Sequence, residues 1–169
     1  MRTIEMEIAL MKHFKFLQNV IVPNVKWGMV LGGTPLHECD LLVLSKSNYA
    51  TEIEIKVDKG DLLKDKAKSH NHKHPYIKFL YFAVPEKLKE VALNNIPERA
   101  GLLVVSKRLI SNTYYDDYYI YHIDVVKPAI RNPKTQKWSF EDKNKLMRLG
   151  TMRIYNLKKK ILKLYEKTI

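Results

Sequence analysis

The run YATEIEIKV at 49–57 constrains the fold most, because its alternation is strict: Ile53, Ile55 and Val57 point one way, and Glu52, Glu54 and Lys56 the other. Such period-two patterning predicts a strand with one apolar face and three ionisable side chains sharing the opposite one. A strand needs neighbours. HECDLLVLS at 37–45 is a short apolar run with Asp40 at its leading end. VKWGMVL at 25–31 reads as a further strand, leading into the turn signal GGTP at 32–35. These three runs predict a meander.

The remaining periodicities surround that meander with helices. Residues 3–18 suit a helix with Thr3 as N-cap. At 100° per residue, Ile4, Ile8, Leu10, Met11, Phe14 and Leu17 fall on one broad arc, with Glu7 near its middle and Glu5 outside it. DKGDLLKDKAKSHNHKH (58–74) reads as a basic helix that stops before Pro75. YIKFLYFAV (76–84) is nearly continuously apolar, as a central strand is. PEKLKEVALNNI (85–96) predicts a short amphipathic helix with Pro85 at its first position, and GLLVVS (101–106) a fifth strand. The Tyr-rich segment 114–126 predicts one or two edge strands, and RNPKTQKW (131–138) a loop or extended basic arm. Ser139 with Asp142 forms a capping box ahead of a helix to about residue 166. The whole is one α/β domain over 1–169: a mixed sheet flanked by helices, with a core in 1–106 and C-terminal strands and a long helix in 112–169.

The chemistry concentrates on Asp40 and the Glu54-Ile55-Lys56 tripeptide. Glu54 and Lys56 project from one face of their strand, and Asp40 joins them at the strand ends if its strand lies alongside. Two carboxylates hold a hard cation such as Mg2+ through oxygen, and a lysine beside them orients an attacking water and stabilises charge on phosphoryl oxygens. Glu7 would supply a third carboxylate. The bland readings are a cross-strand charge pair for Glu54 and Lys56, and a helix-dipole role in the first turn for Glu7.

In order and in setting, Glu7 on a helix, Asp40 opening a strand, and Glu54 and Lys56 on the next strand resemble the PD-(D/E)xK nuclease superfamily. HECDLLVL, TEIEIKVDKGDLLKDK, FLYFAVPEKL and AGLLVV resemble its MmcB-like DNA-repair and phage-encoded members, over roughly residues 1–106. The resemblance implies a restriction-endonuclease-like αβββαβ core and Mg2+-dependent DNA cleavage, with Mn2+ as a substitute and 5′-phosphate and 3′-hydroxyl products. Asp40, Glu54 and Glu7 would bind metal, and Lys56 would position the nucleophilic water. Cys39 stands where the name-giving proline would be.

Charge agrees with a polyanionic partner, nucleic acid or an anionic membrane surface: Lys plus Arg number 30 and Asp plus Glu 18, a formal net charge of +12. DNA is the expected partner, with Lys64, Lys68 and His70 as contacts and a homodimer if both strands are cut. Cys39 is the only cysteine, so neither an intrachain disulfide framework nor a Cys-based zinc module is expected. Glu5, Glu7 and Lys12 interrupt the N-terminal apolar content, which is wrong for a signal peptide, and no run of about 18 apolar residues exists to span a bilayer. A cytoplasmic protein is expected. His70 and His74 stand at zinc-binding spacing, although a polar helix end explains them as well. The tyrosines at 114–121 either stack on bases or form an edge strand. Lys158, Lys159 and Lys160 read as a solvated face, with Leu149, Met152, Leu157, Ile161, Leu164 and Tyr165 packed on the body or on a second subunit. A DNA-binding module of the same fold without turnover, and an accessory protein-binding subunit, are the alternatives.

Overall fold

The computed structural model describes residues 1–25, 30–65, 74–111 and 118–166. Its centre is a six-stranded mixed sheet in the order β1-β4-β5-β6-β7-β8. β1 (Val20–Val25), β4 (Cys39–Leu44) and β5 (Ala50–Ile55) form an antiparallel meander. β2 (Val30–Leu31) and β3 (Thr34–Pro35) form a separate small hairpin between β1 and β4. Its two-residue turn is Gly32-Gly33, both at positive φ, where side chains are costly. β6 (Ile77–Pro85) runs parallel to β5, and β7 (Gly101–Ile110) parallel to β6; β8 (Tyr118–Lys127) returns antiparallel at the edge. The parallel crossovers contain α2 (Lys59–Asp65) and α3 (Lys89–Asn95), as parallel pairing demands.

Alternating residues place the core on both faces of the sheet. Leu41, Val43, Ile53, Ile55, Ala83, Leu103 and Val105 pack under α1 (Thr3–His13), against Met6, Ala9 and Leu10. The opposite face carries two clusters. Val22, Leu42, Leu44 and Ala50 meet Trp138 and Leu146 of α4 (Phe140–Tyr165). Leu80, Phe82, Val84, Leu102 and Val104 meet Leu62, Leu88 and Ala92. Where these two clusters part, β5 contributes buried Glu52 and Glu54, so a polar seam runs through an otherwise apolar face.

Several elements differ from expectation. The first meander strand is 20–25, not 25–31; Pro23 disguises it, yet proline is tolerated there because β1 is an edge strand. α1 is shorter than 3–18, ending at His13 before Lys15 at φ +56. Its N-cap is Arg2 rather than Thr3, with the Arg2 amide donating to Glu5 Oε2 at 2.7 Å. Its buried face is Glu5, Met6, Ala9 and Leu10, whereas Ile4 and Ile8 stay more than half exposed. Glu7 therefore lies at the edge of the buried face, not its centre. Pro85 ends β6 and precedes a 3-10 turn at Glu86–Leu88 instead of opening a helix.

Residues 128–139 form a strap, not a free basic arm. Their amides donate back to the body: Ile130 to the Arg99 carbonyl, Asn132 to Lys78, Gln136 to Pro75 and Trp138 to Asn48. The Ser139–Asp142 capping box is present, with the Asp142 amide donating to Ser139 Oγ at 3.1 Å. α4 packs on β1 through Leu146 and Leu149, whereas Met152, Leu157, Ile161, Leu164 and Tyr165 are exposed.

Glu5 faces the far edge of the sheet. Lys107 Nζ donates to it at 2.6 Å and Tyr121 Oη at 3.2 Å, while Lys107 also lies 3.8 Å from the Tyr119 ring centre. The Lys107 and Arg2 hydrogen bonds lower the Glu5 carboxyl to about 2, from an ordinary 4.5. A depressed folded-state value means stability that is complete above pH 4.5 and is lost as pH falls towards 2. Denaturant titrations should show wild type exceeding Glu5→Gln at pH 7, with the gap closing between pH 4.5 and 2.

Gly101 begins β7 against the Tyr81 ring, and a Cβ there would meet that ring and lie 2.7 Å from the Ala129 amide nitrogen. Because backbone cannot yield as a side-chain tip does, Gly101→Ala should cost about 1–3 kcal/mol in denaturant unfolding.

Candidate active site

The carboxylates gather where β4 and β5 separate. Their ladder pairs Leu41 with Ile53 through Leu44 with Ala50; continuing that register would set Asp40 against Glu54. Asp40 instead turns its carboxylate onto the strand, and Oδ2 accepts the Ile55 amide at 2.8 Å. This satisfies a donor the ladder leaves over and fixes the carboxylate beside Glu54. The Lys56 amide donates to the Ala83 carbonyl at 3.0 Å, extending β5 against β6 by one residue. The expected sharing of one face by Glu54 and Lys56 is realised: Lys56 Nζ donates to Glu54 Oε2 at 2.9 Å.

Lys56 Nζ also lies 3.9 Å from Asp40 Oδ2 and 3.9 Å from Asp61 Oδ2, so a buried ammonium sits among three carboxylates. Thr3, Glu38, Asp40, Glu54, Ile55, Lys56 and Asp61 line a cleft of about 600 Å³ there. Asp40 and Asp61 reach solvent, whereas Glu54 and Lys56 form its floor. Burial, then repulsion from Asp40, pushes the Glu54 carboxyl above its ordinary range against the pull of Lys56.

Glu7 reaches the same charge from α1. Asn24 Nδ2 donates to Glu7 Oε1 at 3.1 Å, and burial, then the Asp40 charge, raises the Glu7 carboxyl against that hydrogen bond. Asn24 adopts φ +52, a left-handed conformation that asparagine tolerates, and its carbonyl accepts a hydrogen bond from the Arg153 guanidinium of α4. α4, β1 and α1 are thereby linked behind the cleft.

Asp40, Glu54 and Lys56 are thus brought together, with Glu7 adjoining them. Lys64 is exposed in the last turn of α2, outside the cleft lining. Lys68 and His70 lie outside the described residues. Asp61 was not anticipated. Its signal was Asp58, whose Oδ1 accepts the Asp61 amide at 2.8 Å and so starts α2 with Asp61 facing back towards Lys56.

A second polar group escaped the sequence because its members are scattered. His37 Nε2 lies 2.7 Å from Glu52 Oε1, and Cys39 Sγ donates to the His37 carbonyl at 3.4 Å. The His74 ring stands 6.3 Å from that of His37, and its Nδ1 accepts the Tyr76 amide at 3.3 Å. Beyond His74, Arg99, Arg131 and Lys134 line a basin of about 490 Å³.

No protein-family model matches the chain, and no curated protein matches it. Its structure is similar to that of a protein of unknown function from Silicibacter pomeroyi, with a TM-score of 0.50 and 17% identity over 88% of this chain and 82% of the other. At that identity the likeness concerns the fold alone. Among the described residues, no helix is long and apolar enough to cross a membrane.

Proposed function

We propose that the chain is a metal-dependent DNA endonuclease with a restriction-endonuclease-like core. The observation that carries this reading is the convergence of Asp40, Glu54 and Lys56 on one solvent-open cleft. The formal charge of +12 supports a phosphate-rich partner, and Lys64 supplies a cation on the exposed end of α2. The proposed setting is the cytoplasm, in repair, recombination or phage DNA processing. The exposed apolar stripe of α4 is the surface available for pairing two copies.

Asp40 and Glu54, with Glu7 adjoining, are the residues that would hold Mg2+ or Mn2+. Their hard oxygen donors fit such an ion, and the burial and Asp40 repulsion that displace Glu54 and Glu7 upward are costs that a divalent cation offsets. When bound, the ion supplies Lewis-acid polarisation of the phosphate and a more acidic attacking water. Lys56 holds that water by hydrogen bonding and places positive charge beside the phosphoryl oxygens. Glu54 keeps the Lys56 ammonium in position, and the Asp40–Ile55 bond keeps the carboxylate from swinging into solvent. In-line attack by water on phosphorus would form the new P–O bond as the bond to the 3′-oxygen breaks, the water losing a proton to solvent and the 3′-oxygen taking one up, which would leave a 5′-phosphate and a 3′-hydroxyl.

A second reading draws on the 2.9 Å Lys56–Glu54 contact, which would also tie off the end of β5 with no chemistry at all. The protein would then be a DNA-binding module without turnover. Supercoiled plasmid and branched oligonucleotides, incubated with Mg2+, Mn2+ or EDTA at low salt, separate the two. Metal-dependent nicking supports the nuclease. Salt-sensitive binding without cleavage on every substrate supports the module, and neither binding nor cleavage overturns both.

A further inference from the structure

The His37, Cys39 and Glu52 group forms a site that the nuclease reading does not use. His37 and Cys39 are two residues apart where the chain enters β4, and the Cys39 thiol donates to the His37 carbonyl. Glu52 reaches the same place from β5. One nitrogen, one sulfur and one carboxylate oxygen lie within 4.8 Å of one another, in a setting where Cys39 and Glu52 are fully buried and the His37 side chain is 12% exposed. Among the described residues, this is the only His, Cys, Asp or Glu group so tightly gathered. The His74 ring adjoins the group at His37.

We propose that His37, Cys39 and Glu52 bind a borderline-soft divalent transition metal, Zn2+ foremost. The donor set decides the class. Thiolate and imidazole suit zinc and disfavour Mg2+ and Ca2+, which take oxygen from flexible or water-rich shells. The spacing is close to what zinc requires: atoms within 4.8 Å of one another leave a central point at most about 2.8 Å from each. Bond lengths of about 2.0–2.3 Å are then reached by side-chain shifts of under about an ångström.

Charge balances as well. The ion displaces the proton of the Cys39 thiol and the hydrogen bond between His37 and Glu52, leaving one thiolate and one carboxylate around a divalent cation, with no net charge buried. Binding therefore releases a proton and ties the approach of β4 to the middle of β5, one residue ahead of Asp40. This assignment is independent of catalysis in the neighbouring cleft.

The test is a cobalt titration of the full chain after chelator dialysis. Because Cys39 is the only cysteine, any thiolate-to-cobalt charge-transfer band reports on this site and not on the carboxylate cleft. One equivalent of Co2+ is expected to produce that band, Zn2+ to abolish it, and excess Mg2+ to leave it unchanged. Asp40→Asn should retain the band, whereas Cys39→Ser should lose it. His37→Asn and Glu52→Gln should each weaken cobalt binding by about ten-fold or more. Those two variants carry the comparison if Cys39→Ser fails to fold. A wild-type protein without the band overturns the assignment, as does a band that titrates unchanged in His37→Asn or Glu52→Gln. Nuclease activity, present or absent, bears on neither result.

Discussion

Asp40→Asn and Lys56→Met are each expected to lower metal-dependent DNA cleavage by about a hundred- to ten-thousand-fold, the range typical of a lost proton-handling or charge-stabilising group. The two substitutions differ in what they do to the fold. Asp40 is partly exposed, and asparagine keeps an oxygen able to accept the Ile55 amide, so Asp40→Asn removes charge with little structural cost. Lys56 is buried on Glu54, and deleting its ammonium leaves a buried carboxylate without its cation, a change that costs about 3–5 kcal/mol when nothing else adapts. Glu54, already displaced towards its protonated form, relieves part of that cost by taking up a proton. Circular dichroism and DNA-binding isotherms must therefore accompany the nicking assay. Loss of cleavage in Asp40→Asn with folding and salt-sensitive binding intact supports the proposal. Full cleavage by Asp40→Asn would refute it, because no arrangement of the cleft then needs that carboxylate.

Trp138→Ala is expected to destabilise the protein by about 3–5 kcal/mol, the largest effect of any substitution distant from the cleft. Trp138 is 2% exposed and fills the cluster formed by β1, β4 and α4, and its indole Nε1 donates to the Tyr76 carbonyl at 3.0 Å. Its amide meanwhile binds Asn48, so one residue staples the strap to both the β4–β5 turn and the start of β6. Truncation to alanine opens a large cavity and strands that carbonyl. Trp138→Phe should recover most of the packing and lose about 1–3 kcal/mol through the unpaired acceptor. Denaturant midpoints for the two variants check this; equal destabilisation by both would mean that the hydrogen bond, not the volume, dominates.

Legibility in the sequence followed how locally each feature is determined. β4, β5, β6 and β7 were readable because each carries its own apolar run or alternation, and the α4 cap because Ser139 and Asp142 are three residues apart. β1 was missed because its stability comes from pairing with β4 across a sheet edge, which no local pattern in VIVPNV announces. The same cause misplaced the buried face of α1. Ile4 and Ile8 are apolar, yet the sheet beneath presents Lys107 and Tyr121, and the helix rotates Glu5 inward to meet them.

The candidate site divides in the same way. The adjacency of Glu54 and Lys56 followed from strand geometry alone, since residues two apart on a strand share a face. The contribution of Asp40 depended on a strand register, and the position of the Glu7 carboxylate on its hydrogen bond from Asn24. The meeting of Asp61 with Lys56, and of Glu52 with His37 and Cys39, depended on how separate segments return to one another. The kinds of element and the alternation along β5 are set by residues within one turn or one pleat, and the single cysteine and the basic charge by composition, so all four are legible without a fold. Which carboxylates surround the Lys56 ammonium, and which histidine meets the buried thiol, follow from the folded arrangement. Those relations are distances across a sheet, and hydrogen-bond register and helix docking fix them where local patterning cannot.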